Sequence, residues 1–200
     1  MVDSTGVQTE RPVIGLTVGD PAGIGPEIVL KALRDPAVFN RVRPLVFADS
    51  AVLVQALEVL GDTMDLHAVQ ASSEGQYRAG CVDFVDVGVL DKPVAYGVVS
   101  AAGGRAGYAY LDRAIDAALA GEVAGLATAP LNKESLQAAE LPYIDHTAVL
   151  KARAALSEPM TLFLVRNLKI FFLTRHISFR EIPDAITREG ILQALPLCEL

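Results

Sequence analysis

The stretch Gly19-Asp20-Pro21-Ala22-Gly23-Ile24-Gly25-Pro26-Glu27 constrains the fold more than any other part of this 200-residue chain. It follows a short apolar run, Val13 to Val18, and leads into an amphipathic one, so it reads as a strand, a glycine loop and a helix N-terminus. Gly19, Gly23 and Gly25 permit backbone angles closed to other residues and let a ligand or a second chain segment come close. Pro26 suits a first helical turn. Glu27 places a negative charge where the helix dipole favours one, and Val29, Leu30 and Leu33 give the helix an apolar face up to about Arg34. The glycine spacing, G-x-x-x-G-x-G, is not the dinucleotide fingerprint, so pyrophosphate binding through that motif does not follow.

Strand and helix signals go on alternating, which makes the fold class α/β. Strands are expected at 44–48 and 82–87, with a helix at 50–60 behind the cap candidates Asp49 and Ser50. Lys92 to Gly97, with Pro93, reads as a loop. Ala106 to Ala120 carries Tyr110, Leu111, Ile115 and Leu119 at helical spacing and is ended by Gly121. Gly125 to Ala129 is a buried-strand candidate. Thr161 to Val165 and Lys169 to Thr174 flank Arg166-Asn167-Leu168 as a β-hairpin inserted into an otherwise parallel scheme. Ser178 and Glu181 have capping-box spacing, Pro183 keeps the following helix short or interrupted, and Glu189 to Leu195 reads as a last helix.

With 52% hydrophobic and 20% charged residues the chain can bury a sizeable core, as one domain or two small lobes. A net charge of -7 argues against nucleic acid or anionic membrane as the main partner, and an anionic small substrate would need locally placed cations. Cys81 and Cys198 are too few for a disulfide framework, and neither has a second thiol or metal-ligand partner nearby in sequence, so a cytoplasmic setting is expected. Met1 to Arg11 is polar and lacks the apolar core of a signal peptide. No apolar run reaches the length of a membrane span.

Three places carry candidate chemistry. His176 directly follows the apolar strand Ile170 to Thr174, at the carboxyl end where open α/β sheets gather ligands; an imidazole there can bind a metal or bond the backbone. Asp145-His146-Thr147 opens a helix expected over 148–155, with Asp145 or Thr147 as its cap. His146 then stands where free N–H groups and the dipole attract an anion such as a phosphorylated substrate. Thr128, Asn132 and Lys133 follow a buried strand, and Lys133 can meet a phosphate or a carboxylate as a point charge. Arg105 and Arg175 are further anion-partner candidates. His67 lies on a polar stretch and is not expected to supply a metal ligand.

As a whole string, GDPAGIGPEI resembles the N-terminal signature of the 4-hydroxythreonine-4-phosphate dehydrogenase family, whose fold is of the isocitrate and isopropylmalate dehydrogenase-like type. Ser100 to Tyr108, Ala127 to Glu134, Asp145-His146-Thr147 and Thr174-Arg175-His176 are similar to later family blocks, in the same order. The resemblance implies a two-lobed α/β/α sandwich, with 1–127 as the first lobe and 128–200 as the beginning of a second, truncated lobe. It implies oxidation of a secondary alcohol by NAD or NADP, assisted by a divalent cation (Zn, Mg or Co), with decarboxylation of 4-hydroxythreonine 4-phosphate as in pyridoxal phosphate biosynthesis. By the same resemblance His176 is the first of three metal-binding histidines. His146 and Thr147, with Asn132 and Lys133, meet the substrate. Gly19, Asp20, Gly23 and Gly25 form a loop near the active site, and the full-length protein is a homodimer.

Many family members carry histidine where this chain has Asn132. Asparagine there is similar to a sister branch acting on four-carbon sugar-acid phosphates, so 4-phosphothreonate, 4-phosphoerythronate or a diol dicarboxylate are the alternative substrates. The family's remaining metal ligands and most of its cofactor pocket would lie beyond Leu200, which makes the chain look like a fragment. Either it is part of a longer protein, or it is a non-catalytic phosphate-binding or dimerisation module.

Overall fold

In the computed structural model, which describes residues 11–155, 159–175 and 177–198, the first apolar run forms strand β1 (Val13–Thr17) and the glycine loop delivers helix α1 (Gly25–Leu33). Pro26 and Glu27 occupy the first turn of α1 and Lys31 its last, so charge complements the dipole at both ends. Helix α2 (Pro36–Phe39) starts at Asp35, whose carboxylate accepts the Ala37 N–H at 2.8 Å. Strand β2 (Arg43–Ala48) and helix α3 (Ser50–Leu60) follow. Then come β3 (Asp65–Ala68), β4 (Cys81–Asp86), α4 (Ala101–Leu119), β5 (Gly125–Thr128), α5 (Lys133–Ala138) and α6 (His146–Arg153). All belong to the first of two compact units, Met1–Ala155.

Its five strands form one parallel sheet in the order β3-β4-β2-β1-β5. β1 is interior, with Ile14 opposite Pro44 on one side and Gly125 on the other. A parallel sheet needs helices over its faces, which is why β2 and β4 are almost continuously buried and do not alternate. Helices α1 and α3 pack together, and α4 lies against β1, β2 and β5. Leu30, Leu45, Val46, Phe47, Leu53 and Tyr110 are fully buried in this core. Leu111 and Ile115, also on α4, form a smaller cluster with Val149 of α6. Tyr108 and Tyr143 stack beside it at 5.6 Å, and Arg153 bridges Asp112 and Asp116.

Helix α4 begins at Ala101, earlier than the expected Ala106. Ser100 caps it by accepting the Gly103 N–H at 3.0 Å, and the glycines that weaken the helical signal are needed for packing. A Cβ on Gly104 would stand 1.9 Å from the Ser135 carbonyl oxygen.

The second unit, Leu156–Leu200, contains the expected hairpin, β6 (Thr161–Val165) paired antiparallel with β7 (Leu168–Phe172). The turn is only Arg166-Asn167, with Arg166 at φ 56°, because Leu168 already pairs with Val165. Phe163 and Phe172 meet edge to face at 4.7 Å. The Glu181 carboxylate accepts the Ser178 N–H at 2.9 Å, completing the expected capping box. Short helices α7 (Ile182–Ala185) and α8 (Arg188–Ala194) follow. No described residue of this unit is buried.

Candidate active site

At the carboxyl end of β1 the chain turns through Gly19, at φ 69°, where a Cβ would stand 2.2 Å from the Pro130 carbonyl oxygen. The Asp20 N–H donates to that same carbonyl at 3.0 Å, so the loops after β1 and β5 are stitched together. Gly25 is held as tightly, since its Cβ would lie 1.9 Å from the Val18 carbonyl oxygen. At these two positions glycine serves chain-on-chain packing. A third segment joins when the Gly97 N–H donates to the Ala22 carbonyl at 2.8 Å. Together they border a cleft of about 430 Å³ lined by Asp20, Gly23, Ile24, Val98, Asn132 and Lys133. It sits at the carboxyl ends of adjacent parallel strands, where open α/β sheets bind ligands.

The loop on the Gly97 side is anchored from below. Buried Asp49 accepts the Val89 and Leu90 N–H groups at 2.9 and 2.8 Å and the Tyr110 hydroxyl at 2.8 Å. On the other side the Asn132 oxygen caps α5, accepting the Glu134 and Ser135 N–H groups at 2.9 and 3.2 Å, which leaves its amide nitrogen as a donor. Lys133 is exposed beside it and makes no ion pair among the described residues.

His146 opens α6 two residues earlier than expected, and of the two cap candidates it is Asp145 that serves, accepting the Ala148 N–H at 2.9 Å. Burial lowers the His146 pKa, opposed by a bond to the Ala129 carbonyl and by the Asp145 charge. Its Nε2 is buried without a partner, so the bond to Ala129 is made by Nδ1. Burial thus favours the neutral form of the ring, which lies against the residue that follows β5, and its Nε2 has no partner among the described residues. Thr147 is half-buried in the same first turn.

Asp20, Gly23, Asn132 and Lys133 thus share one cleft, Gly19 and Gly25 shape its loop, and His146 is fastened to the strand end that bears it. Arg105 is exposed on α4, and Arg175 donates to Thr161 Oγ1 at 3.0 Å inside the second unit. His176 lies outside the described residues.

The expectation for His67 needs correcting. In the β3–β4 register His67 lies opposite Asp83, with Cys81 two residues away on the same face, and donor atoms of all three fall within 4.8 Å of one another. Such a set can hold a metal. Asp83 is nevertheless already engaged by His67 Nδ1 at 2.7 Å and by the Gln76 and Tyr77 N–H groups at 3.0 and 2.7 Å. Burial and the Asp83 charge also push the Cys81 thiol pKa up, so the cluster pins the 76–77 loop in its present state. The C-x-D alternation was visible in sequence, but its partner across the strand was not.

Comparison with known proteins bears on the whole chain. A family model described as pyridoxal phosphate biosynthetic protein PdxA matches residues 40–199. A Symbiobacterium thermophilum protein named "Putative D-threonate 4-phosphate dehydrogenase" is 42% identical over 189 residues, covering 94% of this chain and 56% of its own length. The crystal structure of a 4-hydroxythreonine-4-phosphate dehydrogenase from Burkholderia phymatum superposes with a TM-score of 0.88 at 32% identity, over 94% of this chain and 57% of that one. Its counterpart from Klebsiella pneumoniae gives 0.88 at 28% identity, over 96% and 59%. The chain spans a little over half the length of the relatives it matches.

Proposed function

The chain belongs to the family of the pyridoxal phosphate biosynthetic protein PdxA, and from that premise we propose that it builds the substrate side of a dehydrogenase acting on a 4-phosphorylated four-carbon hydroxy acid. The observation that carries this reading is the cleft at the ends of β1 and β5, with an unpaired lysine at its rim. Lys133 takes the phosphate or the carboxylate as a point charge. Neutral His146 suits a hydroxyl better than an anion, because its open Nε2 accepts a hydrogen bond. Thr147 adds a hydroxyl in the first turn of α6.

Two substrates fit these groups, 4-hydroxythreonine 4-phosphate and D-threonate 4-phosphate, which differ by an ammonium against a hydroxyl. Asn132 and the name of the 42% identical relative support the second. A divalent cation and a nicotinamide, when bound, would lower the pKa of the substrate alcohol, accept its hydride and favour loss of carbon dioxide from the keto acid. His176 is the residue proposed to hold the metal. The same reading carries a homodimer and a cytoplasmic setting; no helix among the described residues is long and apolar enough to cross a membrane.

Calorimetry with both acids, followed by NAD and NADP reduction with and without chelator, tests the reading. Saturable binding of D-threonate 4-phosphate is expected, weakened about tenfold or more in Lys133→Met through loss of a charged hydrogen bond. Failure to bind either acid would sink it.

A further inference from the structure

Three aspartates of the first unit are buried: Asp20 at 4% exposure, Asp49 at 1% and Asp83 at 2%. Asp49 accepts from two backbone N–H groups and a tyrosine hydroxyl, and Asp83 from two backbone N–H groups and a histidine. Asp20 is different. Its Oδ1 accepts the Ala22 N–H at 2.8 Å, whereas its Oδ2 is buried and has no partner among the described residues. A buried carboxylate oxygen left bare is costly, so such an atom calls for a donor from elsewhere.

Its surroundings narrow the choice. The first turn of α4 lies against the carboxylate, close enough that a Cβ on Gly103 would stand 2.9 Å from Oδ1. That helix N-terminus favours the negative charge, but the Gly103 N–H is already taken by Ser100. No cation pairs with Asp20 among the described residues. Asp20 is also the only one of the three aspartates that lines the cleft, where Lys133 is exposed. The torsion that turns a carboxylate is soft, so its free oxygen can swing toward a donor seated in the cleft at little cost.

We infer that Asp20 is a ligand-binding residue whose free oxygen accepts a hydrogen bond from a hydroxyl or ammonium on the substrate's carbon chain, while Lys133 takes an anionic end. This rests on the dehydrogenase reading of the cleft and adds to it a polarity, with a cation for the substrate's anion and a carboxylate for its donors. The two candidate substrates then differ at this contact. An ammonium gains a charge pair with Asp20, and a hydroxyl gains a single charge-assisted hydrogen bond.

The test is calorimetry on the wild-type protein, Asp20→Asn and Asp20→Ser with three ligands: D-threonate 4-phosphate, 4-hydroxythreonine 4-phosphate and 4-phosphobutanoate. The last has the same anionic ends and no donor between them. Both variants retain an oxygen for the Ala22 N–H, so the serine protein decides if the asparagine protein does not fold. Binding of the first two ligands should weaken about 10- to 100-fold, more for the ammonium-bearing one, with 4-phosphobutanoate unchanged. Unaltered binding of both substrates overturns the inference alone. Equal loss for all three ligands, with a lowered unfolding temperature, overturns it in favour of a structural role. A wild-type protein that binds neither substrate removes the dehydrogenase reading and this inference with it.

Discussion

Phe47 on β2 and Phe163 on β6 both lie within largely apolar strands, yet the first is fully buried and the second is 55% exposed. β2 has β1 on one side, β4 on the other and α4 packed against it. Among the described residues β6 has one partner, β7. Two strands alone cannot enclose a side chain, since burial in a sheet needs neighbouring strands and a covering layer together. Leu164, Val165 and Leu168 are exposed for the same reason. Apolar β-formers therefore tell where a strand forms, and only the surrounding layers tell whether it builds a core.

Substitution at the two phenylalanines gives the largest expected contrast. Phe47→Ala should cost about 3–5 kcal/mol by leaving a cavity in the core, and Phe163→Ala no more than about 1 kcal/mol, the worth of a cross-strand pair. Equilibrium urea unfolding followed by circular dichroism measures both; equal losses would break the comparison.

The next effect separates backbone packing from side-chain packing within the first unit. Gly25→Ala places a methyl where the Val18 carbonyl oxygen sits 1.9 Å away, a clash with main chain that cannot rotate aside. About 1–3 kcal/mol of destabilisation is expected. Gly61→Ala makes a useful control, because it meets nothing within 4 Å and its cost comes from a positive φ that Gly25 does not share. If Gly25→Ala cost no more than Gly61→Ala, the loop would not be held by close approach.

The smallest effect sharpens how the core treats polar groups. Tyr110→Phe removes the hydroxyl that Asp49 accepts and should cost about 1–2 kcal/mol near neutral pH. Burial and the Asp49 charge raise the Tyr110 pKa above its ordinary 10.0, so the folded protein keeps a proton that the unfolded chain gives up. The wild-type advantage is then complete below about pH 10 and shrinks as pH rises above it. Unfolding temperatures of the two proteins, measured from pH 8 upward, should converge on the alkaline side.

Periodicity made β1, α1, α3, β4 and the hairpin legible, since each depends on local pattern. Helix α4 was legible only from Ala106, because the glycines before it serve close contact, Gly103 with Asp20 and Gly104 with Ser135, and not helix propensity. Strand β3 was missed for a related reason: with exposed Asp65 and half-buried His67 it is held by pairing with β4, not by an apolar signal. Of the candidate site, the loop residues and Lys133 could be named from sequence, and their shared cleft follows from β1 and β5 being neighbours. That Asp20, alone of the three buried aspartates, keeps one oxygen without a donor among the described residues could not be foreseen, because counting donors requires knowing where residues distant in the chain come to lie.

The order of the strands also sets a timetable. β1 is made first and is interior, but its second neighbour β5 comes about 110 residues later, roughly 5–20 s of synthesis at the usual ribosomal rates. Until then one edge of β1, and the Asp20 N–H that will meet Pro130, have no native partner. A nascent chain therefore carries an interior strand with one open edge until β5 has been made, and the loop that borders the cleft is among the last parts of the first unit to take shape.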